Sequence, residues 1–330
     1  MNPAAHVPPV ANRQPKATTL HGTTLHDEYS WLREKSSQNV LDYLNAENAF
    51  TEALMAPTAA LQATLYAEML SHIKETDESV PYPDRGFLYW TRTVEGKQYP
   101  IHCRKPINFT PGEEQILLDI NELAEGQPFM SVGGLSVTPS GTILAYTTDN
   151  SGFRQYTLHI RDLSTGLDLP DTASRVGSVI WAADSTTLLY TTEDETTKRQ
   201  NLLFLHTLGS TNPDAVVFEE PDERFNIGLG LTRDRKYILL ESGSHTTNEV
   251  RFLPSDTPTA PFTLIAPRLD DQEYHPDHRD GLFFLRTNDT AEHFRLVTAP
   301  VTSPGRDHWF QFIGILLMTP SVYLGNRIAS

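Results

Sequence analysis

The sequence predicts a mainly β protein: a partial β-propeller of about four to five blades preceded by an N-terminal helical extension. Three observations predict it. The stretch 133–163 reads as three strands joined by two turns. That pattern is written again further on, at intervals of about 45–50 residues. The chain before it carries apolar residues at helical spacing instead of alternation.

In the first unit, strands are expected at 135–137, 142–147 and 155–162. Pro139-Ser140-Gly141 makes the first turn, and Tyr156, Leu158 and Ile160 alternate with Thr157, His159 and Arg161. A second unit follows at 179–181, 188–192 and 202–208, with Ala183-Asp184-Ser185 as its turn. A third occupies 227–231, 237–241 and 249–253, turning at Arg233-Asp234-Arg235. A fourth runs through Tyr274, 277–280, 282–286 and 294–299. The second strands align on Leu144, Leu189, Leu239 and Phe284. Four-stranded units at this period are propeller blades; a solenoid of helical hairpins would need a helical period that these units lack. Loops between second and third strands should share one rim. They carry Asp149, Glu193, Asp194, Glu195, Asp289 and Glu292 against Arg154, Lys198 and Arg199, which predicts a net acidic rim.

Ahead of the units, residues 1–20 read as an extended arm punctuated by Pro3, Pro8, Pro9 and Pro15. A helix is expected over 39–56, interrupted by Pro57. A second is expected over 58–74, with Thr58 as N-cap and Leu61, Leu65, Met69 and Ile73 on one face. From Pro81 the β pattern begins: 87–93 and 98–104 joined by Val94-Glu95-Gly96-Lys97, then 116–119. After Ile313 alternation and turn signals stop. The organisation predicted is an arm and helical extension (1–75), an incomplete propeller (76–313) and a divergent tail (314–330).

A net charge of −16 argues against nucleic-acid binding, which needs basic surface. Cys103 is the single cysteine, so an intrachain disulfide and two-Cys metal sites are excluded. No basic start followed by an apolar run opens the chain, and no stretch reaches the roughly 18 apolar residues of a membrane helix. The expectation is a cytoplasmic protein that touches neither membrane nor nucleic acid.

The search for chemistry yields a scaffold. Gly-x-Ser-x-Gly is absent; the nearest approach, Gly134-Leu135-Ser136-Val137-Thr138, opens a blade strand, so Ser136 is expected to be a strand residue. His275-Pro276-Asp277-His278 places two imidazoles three apart in what reads as a solvated loop. His102 and Cys103 are strand neighbours that point to opposite faces. Neither Gly-x-Gly-x-x-Gly nor a phosphate-cradling Gly-Lys-Ser/Thr occurs. No catalytic residue, metal ligand or cofactor-binding residue is assigned, no cofactor is implied, and substrate-contacting residues stay unassigned.

A run of short motifs then resembles a family. Pro8-Pro9-Val10-Ala11, His21-Gly22, Asp27-Glu28-Tyr29-Ser30-Trp31-Leu32-Arg33 and Tyr43-Leu44-Asn45-Ala46-Glu47-Asn48 look like the opening of oligopeptidase B, of the prolyl oligopeptidase family of serine peptidases. Glu95-Gly96-Lys97-Gln98-Tyr99-Pro100, Asp222-Glu223-Arg224-Phe225-Asn226 and Gly243-Ser244-His245-Thr246-Thr247 continue it, to Phe294-Arg295-Leu296-Val297-Thr298-Ala299-Pro300. The likeness runs over about residues 7–313. It implies an N-terminal extension, a seven-bladed propeller and an α/β-hydrolase domain as partner, with cleavage of short peptides after Arg or Lys and a propeller that gates access. The family's catalytic residues have no counterpart here. The chain is therefore expected to be the non-catalytic N-terminal portion of such a peptidase, inactive by itself, with a departure at Gly314 of the kind a fragment or frame-shift produces. The alternative is a stand-alone propeller-type module that binds proteins or peptides.

Overall fold

The computed structural model describes residues 7–108, 112 and 114–313. The predicted tail, 314–330, lies outside the described residues. The chain divides into two compact units, Met1–Glu75 and Thr76–Ser330.

The first unit opens with a hairpin that the expected extended arm did not include: β1 (Lys16–Leu20) pairs antiparallel with β2 (Thr23–Asp27). Its turn is His21 at φ 51° and Gly22 at φ 80°, two left-handed residues in succession, the geometry that matches strand twist in a two-residue loop. Helix α1 (Gln38–Met55) starts at Ser37, whose side chain accepts from the Val40 amide. A 3-10 turn, Ala56–Thr58, carries Pro57 and joins α1 to α2 (Ala59–Ser71). Thr58 stands at the N-cap position of α2, as expected, but its side chain makes no capping bond. It has helical backbone angles, and its hydroxyl donates back to the Met55 carbonyl at 2.7 Å. Pro57 falls in the first turn of the 3-10 segment, where a missing N–H costs little, and the residues around it keep helical backbone angles.

The second unit is five four-stranded antiparallel sheets, each made of consecutive strands. The first blade is β3 (Tyr82–Asp84), β4 (Phe87–Arg92), β5 (Ile101–Pro106) and β6 (Gln115–Asp119), followed by one short helix, α3 (Ile120–Leu123). The second is β7 (Ser131–Val137), β8 (Ile143–Asp149), β9 (Thr157–Asp162) and β10 (Asp168–Ala173). The third is β11 (Val176–Trp181), β12 (Thr187–Glu193), β13 (Gln200–Thr207) and β14 (Ala215–Glu219). The fourth is β15 (Asn226–Leu231), β16 (Tyr237–Gly243), β17 (Asn248–Pro254) and β18 (Thr263–Leu264). The fifth is β19 (Tyr274–Arg279), β20 (Leu282–Thr287), β21 (Arg295–Pro300) and β22 (Phe310–Ile313). The partial propeller thus has five blades among the described residues.

Successive blades bury four apolar layers between them. Tyr89 and Leu118 meet Leu144 and Tyr146; Leu158 and Ile160 meet Trp181 and Leu188; Leu189 and Leu203 meet Ile238 and Leu240; Val250 and Phe252 meet Phe283 and Leu285. These layers correct the strand alignment. The residues that face the preceding blade are Leu144, Leu188, Ile238 and Phe283, whereas Leu189 and Leu239 face the following one. The turns agree: the bonds Thr138 N to Ile143 O, Ala182 N to Thr187 O and Thr232 N to Tyr237 O, at 2.9, 2.8 and 2.9 Å, close just before Leu144, Leu188 and Ile238. A shift of one residue flips a strand's side chains to its other face. With both faces apolar, hydrophobicity alone does not report the slip.

Candidate functional site

The residues singled out in the sequence do not assemble into one centre. Ser136 lies in β7, where its carbonyl accepts from Trp181 Nε1 at 2.9 Å and ties the second blade to the third. The His275–His278 segment is not a loop: it forms most of β19, the first strand of the fifth blade, which has a neighbour on one side only. Pro276 is tolerated there because an edge strand can spare a donor. His278 is buried, its Nδ1 lying 2.7 Å from Asp234 of the fourth blade and its Nε2 accepting from the Gly281 amide. His275 is half-buried and meets Glu273 at 3.4 Å, so the two imidazoles serve separate contacts. Cys103 is 1% exposed, and burial together with Glu114 pushes its thiol up to about 11, which leaves it unreactive. Burial also pulls His102 below the ordinary imidazole value. Among the described residues, no group of three or more His, Cys, Asp and Glu is placed to hold a metal.

Of the six carboxylates of the expected acidic rim, three pair with cations and two cap their own loops. Asp149 closes its own loop, accepting from the Ser151 and Arg154 amides at 2.8 and 2.7 Å. Asp194 accepts from the Thr196 and Thr197 amides in the same manner. Glu195 pairs with Arg175 at 2.5 Å, Glu193 with Lys198 at 3.7 Å and Asp289 with Arg295 at 2.9 Å. Short carboxylates in these loops cap turns more than they project a field.

Two polar clusters join neighbouring blades. Both ring nitrogens of His206 face carboxylates, Nδ1 at 2.7 Å from Asp214 and Nε2 at 2.8 Å from Asp171 of the second blade. A proton on each nitrogen satisfies both, and although burial opposes the charge, the hydrogen bonds to Asp214 and Asp171 raise His206 above its ordinary value. Between the third and fourth blades, Arg268 bridges buried Glu220 at 2.6 Å and Glu249 at 2.9 Å while its guanidinium lies over Phe225.

The propeller unit holds a crevice of about 330 Å³. Tyr82 and Tyr89 of the first blade stack with ring centroids 5.7 Å apart and form one wall; Leu135 and Val137 of β7 form another. Leu231 and Arg235 reach it from the fourth blade, and Arg235 meets Asp84 at 2.6 Å. The turn joining β3 to β4 holds Arg85 at φ 44° and Gly86 at φ 84°, and Arg85 donates to the Val137 carbonyl at 3.4 Å. Burial, with repulsion from Arg235, lowers Arg85 from its ordinary value. The crevice therefore offers two guanidinium groups, one carboxylate and an aromatic wall. This is binding chemistry. Sequence reasoning missed it, because no motif marks two arginines that converge from different blades.

Consecutive four-stranded antiparallel meanders stacked through apolar layers define the class: a β-propeller domain. Residues 8–314 match the model of the prolyl oligopeptidase N-terminal β-propeller domain, and the chain belongs to that family. It is 39% identical over 331 aligned positions to dipeptidyl aminopeptidase BI of Pseudoxanthomonas mexicana, covering 94% of this chain and 45% of that protein. It is 33% identical to protease 2 of Moraxella lacunata, covering 89% of this chain and 44% of the relative. Among solved structures, oligopeptidase B from Leishmania major superposes with a TM-score of 0.86 at 28% identity, over 93% of this chain and 46% of that one. The chain thus spans less than half the length of these relatives.

Proposed function

We propose that this chain is the propeller portion of a prolyl-oligopeptidase-type serine peptidase acting on short peptides, and that it limits access to an α/β-hydrolase domain corresponding to the rest of the relatives' length. The observation that carries the reading is the family match over residues 8–314 combined with coverage of 45% of the first relative. Exposed apolar side chains on the helical unit support it. Leu61, Leu65, Met69 and Ile73 on and just after α2, and Leu41, Leu44 and Leu54 on α1, all face solvent, and a second domain would give them a surface to bury against. Cleavage after Arg or Lys belongs to this reading, and a net charge of −16 favours cationic peptides. So does a cytoplasmic setting, in which one buried thiol needs no oxidising partner.

A second specificity is favoured by the 39% identity to a protein named dipeptidyl aminopeptidase BI: release of dipeptides from a free N-terminus. The test is an assay of the purified 330-residue chain, alone and co-expressed with the C-terminal half of that relative. The chain alone is expected to leave Arg- and Lys-esters intact, since its described residues assemble no nucleophile, base and oxyanion hole. Co-expression is expected to yield hydrolysis blocked by a serine-directed phosphonate, and free against N-acetylated substrates separate the two specificities. Phosphonate-sensitive turnover by the chain alone would overturn the proposal.

A further inference from the structure

The crevice between the first, second and fourth blades holds an ion pair with unfinished chemistry. Asp84 Oδ1 is buried and accepts no hydrogen bond, although Arg235 stands 2.6 Å away. The contact is one of charge, without an N–H aimed at the oxygen. Arg85 is no better satisfied: its guanidinium makes a 3.4 Å bond to the Val137 carbonyl. Two cations thus share a crevice with one anion, and burial, with their mutual repulsion second, lowers Arg85. A guanidinium presents parallel N–H groups that match the two oxygens of a carboxylate, and neither arginine has such a partner here. Beside them, Tyr82, Tyr89, Leu135 and Leu231 supply apolar wall in a volume of about 330 Å³, enough for one amino-acid residue and its flanking groups.

We propose that this crevice binds a small carboxylate with an apolar body, such as the C-terminal residue of a short peptide. Arg85 and Arg235 take the carboxylate, and Asp84 occupies Arg235 while the site is empty. The proposal stands apart from the peptidase reading, because it requires only residues of the propeller unit. An incoming carboxylate competes with Asp84 for Arg235, and this gives the two members of one ion pair opposite effects on binding.

The experiment is calorimetric titration of the full 330-residue chain with N-acetyl-leucine and with N-acetyl-leucinamide. The acid is expected to bind and the amide not. Arg235→Gln and Arg85→Gln should each weaken the acid by about tenfold, the loss of one charge-assisted pair. Asp84→Asn should tighten it several-fold. Arg85→Lys, which keeps the charge but not the paired N–H groups, should weaken the acid less than Arg85→Gln does, and it guards against a misfolded Gln variant. A tripeptide ending in leucine forms a further arm: tighter binding than N-acetyl-leucine assigns the site to peptide C-termini, weaker binding assigns it to free small acids, and both uphold a carboxylate site. Equal affinity for acid and amide, or weaker binding by Asp84→Asn, would sink the idea and leave the pair a structural tether.

Discussion

The two helices of the N-terminal unit and the five blades spend similar side chains in opposite ways. In α2 no residue is buried, and in α1 only Val40 is. In β12 five consecutive residues, Thr187 through Thr191, are buried. Leucine is abundant in both. A strand of a middle blade is covered on each face by a neighbouring blade, so its apolar residues meet partners inside the unit. The α2 helix presents Leu61, Leu65 and Met69 at spacings of four, each at least 46% exposed. The comparison teaches that a strong apolar periodicity reports a face that needs covering and does not say what covers it.

The sharpest way to break this contrast is to remove a side chain from each region. Phe283 is fully buried, with its ring 4.8 Å from Phe252 and 5.7 Å from Tyr237 between the fourth and fifth blades. Phe283→Ala should destabilise the propeller unit by about 3–5 kcal/mol in urea melts. A loss below about 1 kcal/mol would show that the blades do not depend on their shared layers.

Next in size is the Arg268 bridge. Arg268→Met leaves Glu220 and Glu249, 1% and 6% exposed at the side chain, facing each other without that cation. The expected cost is about 3 kcal/mol, moderated because Arg251 still pairs with Glu249 and Arg268 itself is 26% exposed. Adding Glu220→Gln should restore part of the stability, and no recovery would mean that packing on Phe225 is what matters.

A smaller effect follows from His206. Its value is raised in the folded state, so its stabilising contribution is complete below the ordinary imidazole value of 6.5 and fades as pH climbs through the raised one. The melting-temperature advantage of the wild type over His206→Gln should therefore be largest near pH 6 and shrink on the alkaline side. An advantage that grows with pH would show that the imidazole sits between Asp171 and Asp214 uncharged.

The smallest effects belong to the helices. Leu65→Ala, at a side chain 46% exposed, should change stability by no more than about 0.5 kcal/mol. Limited proteolysis should likewise cut within residues 1–75 before any blade is nicked, because two short helices without buried faces are marginal in water. Blades digested first would reverse the comparison.

Much of this architecture was legible in the residues themselves. Two helices, the repeating units and the turns at Ser140-Gly141, Asp184-Ser185 and Asp234-Arg235 follow from local chemistry: alternation, helical spacing, and side chains that accept φ > 0 or hydrogen-bond their own backbone. The outer strands β10, β14, β18 and β22 were not legible. They sit at sheet edges: β14 is exposed at four of five positions although mostly apolar, β10 contains Pro170, and β18 has only two residues. The β1–β2 hairpin was missed although His21-Gly22 stands between two Thr-Leu stretches, a turn signal of modest strength. Which face of each strand meets which blade, the burial of His278 against Asp234, the His206 bridge and the meeting of Asp84 with Arg235 were decided by tertiary structure alone. A local pattern reports what its own few residues prefer. These contacts join residues from different blades, and their partners are set by how successive sheets stack, which no single segment encodes.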